Sequence, residues 1–152
     1  MSHSGIRSGA LRLGRHRYPA QALLVMAIVN RTPDSFYDKG AGYAESAALD
    51  QVAAAVAGGA DVIDIGGVKA APGDDVDVAE ELRRVVSFVG KVRERWPQVA
   101  ISVDTWRSEV ADPVCRAGAD LLNDAWGGAD PRLAEVAAAQ VAVLEATVEE
   151  RS

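Results

Sequence analysis

Four short apolar runs in this chain each close on residues able to hold a ligand. Ala22 to Val29 ends on the carboxamide of Asn30 and a loop carrying Asp34, Ser35 and Asp38. Asp61-Val62-Ile63-Asp64-Ile65 leads into Gly66-Gly67, Val99 to Val103 into Asp104-Thr105, and Asp120-Leu121-Leu122 into Asn123-Asp124. Carboxylates and carboxamides supply hydrogen-bond acceptors and donors, the equipment for orienting a polar ligand rather than for covalent attack. Each also has a plain structural reading. Asn30 and Asp34 could be turn residues, Asp64 a cap before its glycines, and Asp104-Thr105 the N-cap of a following helix. Cys115 has no clustered histidine and is expected to be inert. His3 and His16 sit in an irregular leader and are expected to be solvated. Trp126 is expected to be core or rim packing. No spacing of a metal cluster occurs.

The elements that would position these groups alternate regularly. Uninterrupted Val, Ile and Leu in short runs suggest strands buried on both faces, as in parallel sheets. Pro33 keeps Thr32 out of a helix, so the first run leaves through an extended loop. Ala44 to Ala57 reads as a helix, with Leu49, Val52, Ala53 and Val56 inward and Gly58-Gly59 stopping it. Ala79 to Arg95 is a second, with Leu82, Val85, Val86, Val89, Val92 and Trp96 on one face. Glu80 is placed to pair with Arg84 one turn on. Arg107 to Ala117 is a third, in which Pro113 predicts a kink or a late start. Pro131 to Gln140 is a fourth, and Val141 to Leu144 a fifth strand. Gly59-Ala60-Asp61-Val62-Ile63-Asp64 is echoed by Gly118-Ala119-Asp120-Leu121-Leu122-Asn123.

Such alternation specifies parallel βαβ units in an α/β fold. If the strands are parallel and adjacent, Asn30, Asp64, Asp104 and Asn123 converge at one end of the sheet, the layout of a (β/α) barrel. A doubly wound open sheet is the runner-up, but neither a G-x-G-x-x-G nor a Walker loop supports a nucleotide site.

Composition narrows the class further. The chain has 152 residues, 49% hydrophobic and 25% charged, as in an ordinary soluble globular domain. Its one cysteine forbids an internal disulfide and fits a reducing cytosol, so a cytoplasmic location is expected. The formal charge of −6 is uneven: residues 1–33 hold Arg7, Arg12, Arg15, Arg17 and Arg31 and no acid. The acidic body argues against nucleic acid, and the apolar run after the arginines is too short to span a membrane. Residues 1–21 are therefore expected to be a basic extension covering one end of the domain, with Gly9 to Gly14 as half of a small hairpin. Residues 22–145 would be the barrel domain and 146–152 a polar tail.

The motifs Asn30-Arg31-Thr32-Pro33-Asp34-Ser35-Phe36, Asp64-Ile65-Gly66-Gly67, Ser102-Val103-Asp104-Thr105 and Asn123-Asp124 have the order and spacing of dihydropteroate synthase, which this chain resembles from about Leu23 to Gln140. The resemblance implies an α/β fold of the (β/α)8 TIM-barrel type, of which the first four to five βα units are present. It implies a transferase of folate biosynthesis that joins a 6-hydroxymethyl-dihydropterin pyrophosphate to 4-aminobenzoate. Asp104 and Asn123 would bind the pterin ring, and Asp64 is expected with them as a third substrate-binding residue. Asn30 would help hold Mg2+ at the pyrophosphate, and Asp34 and Ser35 would belong to a loop folding over the reacting centre. A half-barrel with open edges is expected to form a homodimer or pair with a complementary half.

Where the family usually has Glu-Ser-Thr-Arg-Pro-Gly, this chain has Val68-Lys69-Ala70-Ala71-Pro72-Gly73. A threonine that contacts pyrophosphate and an arginine that closes over the second substrate are thereby replaced by Ala70 and Ala71. In this loop the chain resembles a divergent second copy of the synthase found in some actinobacteria. A catalytically inactive pterin-binding or scaffold subunit, and a truncated product without function, stand as alternatives to the enzyme.

Overall fold

The computed structural model describes residues 10–30, 40–66, 78–124, 127–140 and 142–145. A short antiparallel hairpin comes first, β1 (Leu11–Leu13) with β2 (His16–Tyr18). Strands and helices then alternate: β3 (Met26–Asn30), α1 (Gly40–Ala57), β4 (Val62–Gly66), α2 (Val78–Arg95) and β5 (Ala100–Asp104). They continue through α3 (Ser108–Ala117), β6 (Leu121–Asp124), α4 (Arg132–Gln140) and β7 (Ala142–Glu145). Strands β3 to β7 form one five-stranded sheet in sequence order, every pair parallel. A doubly wound sheet would reverse its strand order partway. This one does not, so the chain is a partial (β/α) barrel. The predicted strands and helices agree with those observed to within a few residues.

One face of the sheet packs on the helices. Val29, Ile63, Ile65, Ile101, Val103 and Leu122 meet Val52 of α1, Val85, Phe88, Val89 and Val92 of α2, and Val110 and Val114 of α3, all essentially inaccessible to water. Phe88 is the largest of these side chains and belongs to the 85–88–89–92 stripe, although the helical pattern was read without it. On α1 the buried stripe is Ala48, Leu49 and Val52, and Ala53 faces water. Pro113 lies inside α3, which begins at Ser108 and so does not start late.

The internal echo has a physical meaning. Gly59 and Gly118 follow helices α1 and α3 with φ of 94° and 126°, a region that side chains other than glycine rarely adopt. Two residues later each aspartate grips the strand beside it. Asp61 N–H donates to Val25 C=O at 2.9 Å, and its Oδ2 accepts from Val25 N–H at 2.9 Å. Asp120 repeats this on Ile101, at 2.7 and 3.0 Å.

Asp120 carries more than its twin. It is 2% exposed and also meets the guanidinium of Arg93 from α2. Arg93 in turn donates to the carbonyls of Gly118, Val99 and Pro97. From the hairpin, Arg15 Nε and His16 Nε2 each approach Asp120 to 3.5 Å. His16 is thus not solvated, as expected from sequence, but half-buried against this carboxylate. The same hairpin sends Leu13, 5% exposed, onto Val62, Ala100 and Leu121, the residues facing away from the helices at the N-terminal end of the strands. Burying a leucine this fully contributes about 2 kcal/mol.

Candidate functional site

The strand register places Asn30, Gly66, Asp104 and Asn123 side by side across β3, β4, β5 and β6. Residues in register on parallel strands project to the same face, here the one turned away from the helices. Asn30 is exposed, and Asp104 and Asn123 are half-buried. A Cβ on Gly66 would stand 2.8 Å from Asn30 Oδ1, so the missing side chain is what lets the Asn30 carboxamide lean over β4. The result is a polar row at the C-terminal ends of the strands, where barrel proteins carry their ligands.

Beneath it lies a second row: Ile28, Asp64, Ser102 and Leu121. Asp64 is 3% exposed and Ser102 fully buried. The Ser102 hydroxyl donates to Asp64 Oδ1 at 2.7 Å. Asn123 Nδ2 reaches down from the row above and donates to Asp64 Oδ2 at 3.3 Å. Both carboxylate oxygens are therefore engaged by protein. Below them come Val62 and Ala100, closed off by Leu13 of the hairpin.

Of the residues singled out from sequence, Asn30, Asp104 and Asn123 are brought into one row. Asp64 sits one layer deeper, beneath Asn123. Asp34, Ser35, the loop residues Val68 to Gly73, His3 and Trp126 lie outside the described residues. Sequence reasoning passed over Ser102 and gave Gly66 no role of its own. The period-two alternation of a strand would have found Ser102, since it shares a face with Asp104.

The loops after β5 and β6 are tied together around the row. Thr105 does not cap α3 with its side chain: its Oγ1 accepts from Arg107 N–H at 3.2 Å, and Arg107 is the N-cap residue. The first helical N–H, of Ser108, donates instead to Asp130 Oδ2 at 2.8 Å. Asp130 Oδ1 accepts from Arg132 N–H at 3.0 Å, so one carboxylate serves the beginnings of both α3 and α4. The hydrogen bonds from Ser108 hold the Asp130 carboxyl below the usual carboxylate range. Asp124, 5% exposed, accepts from Gly128 N–H at 2.8 Å. Arg107 is also buried, its guanidinium 4.9 Å above the Trp106 ring.

Among the described residues no three His, Cys, Asp or Glu side chains group as a metal site. Mg2+ shared with a substrate phosphate needs only one or two protein oxygens. Asn30, an exposed residue whose Oδ1 lies over the clearance at Gly66, has a hard oxygen of the kind such a site would use. Cys115 lies on α3, away from the row, and burial pushes its thiol up to about 11, where it stays protonated and unreactive. No helix among the described residues is long and apolar enough to cross a membrane.

Comparison with known proteins extends this geometry. Residues 26–149 match the family model described as pterin binding enzyme. A protein named inactive dihydropteroate synthase 2 from Mycobacterium tuberculosis is 63% identical over 115 residues, covering 76% of this chain and 36% of that protein. The crystal structure of 7,8-dihydropteroate synthase from Vibrio fischeri superposes with a TM-score of 0.76 at 36% identity, covering 89% of this chain and 49% of the other. Burkholderia cenocepacia dihydropteroate synthase, complexed with 7,8-dihydropteroate, does so with a TM-score of 0.72 at 33% identity, covering 88% of this chain and 44% of its own. The chain thus spans less than half the length of these relatives.

Proposed function

The chain belongs to the pterin-binding enzyme family, dihydropteroate synthase-like in fold and motif, and on that premise we propose that its polar row binds the ring of a 6-hydroxymethyl-dihydropterin pyrophosphate. The carrying observation is the register that sets Asp104 beside Asn123 on the inner face. A pterin edge alternates N–H donors with ring-nitrogen and carbonyl acceptors. A carboxylate next to a carboxamide matches such an edge, because the first only accepts and the second does both. In the layer below, Ile28 and Leu121 add hydrocarbon on either side of the hydrogen-bonded Asp64–Ser102 pair.

The reaction this type of site serves is condensation with 4-aminobenzoate. The arylamine nitrogen bonds to the pterin methylene carbon and sheds one N–H proton to solvent or to the leaving group, and the C–O bond breaks with its electron pair leaving on pyrophosphate. Bound Mg2+ would neutralise charge on that leaving group, and Asn30 Oδ1 is the described oxygen suited to hold it. The chain's own contribution is orientation: the row fixes the ring so that the methylene points out of the barrel mouth. Asp34 and Ser35, on the loop after β3, would close over the reacting carbon.

A second reading, pterin binding without turnover, is favoured by two observations. The Mycobacterium tuberculosis relative is named inactive, and Ala70 and Ala71 replace the polar pair of the pyrophosphate loop. The single cysteine, which forms no internal disulfide, supports a cytosolic location. Pairing with a second copy or a complementary half-barrel is supported by β3, an edge strand whose inner residues Met26 and Ile28 are 36% and 66% exposed.

The test is a thermal melt with and without the pterin pyrophosphate and Mg2+. A ligand at a hundred times its Kd stabilises by about 2.7 kcal/mol, so the transition should move up by several degrees. Asn123→Ala should abolish the shift. A cooperative wild-type melt unmoved by ligand would overturn the proposal. Formation of dihydropteroate from added 4-aminobenzoate then separates the two readings.

A further inference from the structure

We infer that Asp64 is a positioning residue: it fixes which way the Asn123 carboxamide faces, and through it the donor–acceptor pattern of the heterocycle that the row accepts. The inference rests on the proposed pterin site for its ligand, but not for the orientation of the amide. A primary amide is nearly symmetric in shape. Turning it over exchanges oxygen and nitrogen at almost no steric cost, so only its hydrogen-bond partner decides which end faces the ligand.

That partner is Asp64. Its Oδ2 accepts from Asn123 Nδ2 at 3.3 Å. In the reversed orientation Asn123 Oδ1 would face a carboxylate oxygen, two acceptors with no proton between them. The carboxylate is itself anchored, because Ser102 Oγ donates to Oδ1 at 2.7 Å and Ser102 is fully buried. The other side chains in register with this pair, Ile28 and Leu121, are hydrocarbon and offer no competing acceptor. Asp64 is 3% exposed, so a ligand in the row meets Asn123 rather than Asp64.

What Asn123 keeps for a ligand is Oδ1 and its second N–H, beside the carboxylate of Asp104. Acceptors therefore predominate in the row. The class of ligand it selects is a flat heterocycle with an amidine or guanidine edge, N–H donors flanking a ring nitrogen. A ring bearing a carbonyl where that amine would be sets acceptor against acceptor. Releasing the Asn123 amide should relax this discrimination.

The experiment has two arms, on wild type, Asp64→Asn, Ser102→Ala and Asn123→Asp. In the first, the Asn123 side-chain NH2 pair is identified in a 15N-labelled sample as the pair lost in Asn123→Asp. Asp64→Asn replaces an acceptor-only carboxylate with a carboxamide that can also donate, which lifts the constraint on the Asn123 amide and should displace that pair and speed its exchange with water, with no ligand present. In the second, Kd is measured for 6-hydroxymethylpterin and for 6-hydroxymethyllumazine, which carries a carbonyl in place of the 2-amino group. The ratio of the two affinities should fall about tenfold or more in Asp64→Asn. A smaller fall is expected in Ser102→Ala, the milder variant if the first does not fold. An unmoved NH2 pair, or equal weakening of both probes, would overturn the inference. Binding of neither probe by wild type would overturn the pterin reading instead, leaving the NH2 pair to decide the role of Asp64.

Discussion

Removing the Asp120 carboxylate should be among the most damaging single changes in the described structure. Asp120 is 2% exposed, and three groups depend on it at once: the Arg93 guanidinium, the Ile101 N–H, and the hairpin through Arg15 and His16. Stripping one partner from a buried ion pair leaves the other charge uncompensated, typically a loss of about 3–5 kcal/mol. Arg93 keeps its bonds to the carbonyls of Gly118, Val99 and Pro97, which moderates that figure. The orphaned Ile101 N–H restores part of it, at about 1 kcal/mol or more. Asp120→Ala should therefore destabilise by about 4 kcal/mol. Arg15→Ala touches the same carboxylate from a side chain 56% exposed and should change stability by less than about 1 kcal/mol. Urea unfolding followed by far-UV circular dichroism separates the two. With a slope of about 2 kcal/mol per molar, the midpoint should fall by about 2 M in Asp120→Ala and by less than about 0.5 M in Arg15→Ala. Equal shifts in the two variants would refute the reasoning, because burial would then not be what gives Asp120 its weight.

Two further outcomes follow from the same geometry. Gly66→Ala puts a methyl 2.8 Å from Asn30 Oδ1, so any Mg2+ dependence of ligand-induced stabilisation should weaken at least tenfold in apparent Mg2+ affinity. Its melting temperature without ligand should stay within a few degrees of wild type, and unchanged Mg2+ dependence would show that Asn30 is not the metal's partner. The second concerns His16, whose Nε2 is buried without a hydrogen bond among the described residues. Burial lowers its pKa, with Arg93 and Arg15 acting the same way and the Asp120 carboxylate opposing. The fold therefore binds this proton less well than the unfolded chain, whose histidine titrates near 6.5. The stabilisation is fully present above about pH 6.5 and is lost as pH falls through the window down to the folded pKa. The stability difference between wild type and His16→Gln should shrink between pH 7.5 and 5.5, and a difference that grows would reverse the assignment.

The architecture was legible because each element states its own period. Apolar runs of strand length between Ala-rich or amphipathic helices leave few arrangements other than parallel βαβ units, and the observed strand order chose between the two considered. The row of Asn30, Asp104 and Asn123 was legible for a related reason: polar residues that close an apolar strand stand at its tip. The same rule misplaced Asp64. Read as a tip, it looked equivalent to Asn123 through the repeated Gly-Ala-Asp segment. In the sheet it is Gly66 that stands level with Asp104 and Asn123, while Asp64 stands level with Ser102 and Leu121. The repeat correctly located the aspartates that grip neighbouring strands, but it carries no information about stagger. Each barrel strand is offset against its neighbours, and two residues of offset move a side chain by one whole layer. His16 was misread for a different reason: nothing local to the leader says that it docks against a carboxylate much later in the chain.

The consecutive order of strands β3 to β7 also bears on how the molecule is made. Each strand pairs with the one synthesised just before it, so every new βα unit finds its docking partner already emerged from the ribosome. N-terminal portions of a chain fold while the rest is still being made. The hairpin breaks this rule. Leu13 is synthesised before any of these strands, yet it cannot complete its packing until Leu121 has taken its place, nor can Arg15 and His16 reach Asp120 sooner. The hairpin, made before the sheet, is thus secured only after most of it, and its docking reports that the sheet through β6 has been assembled.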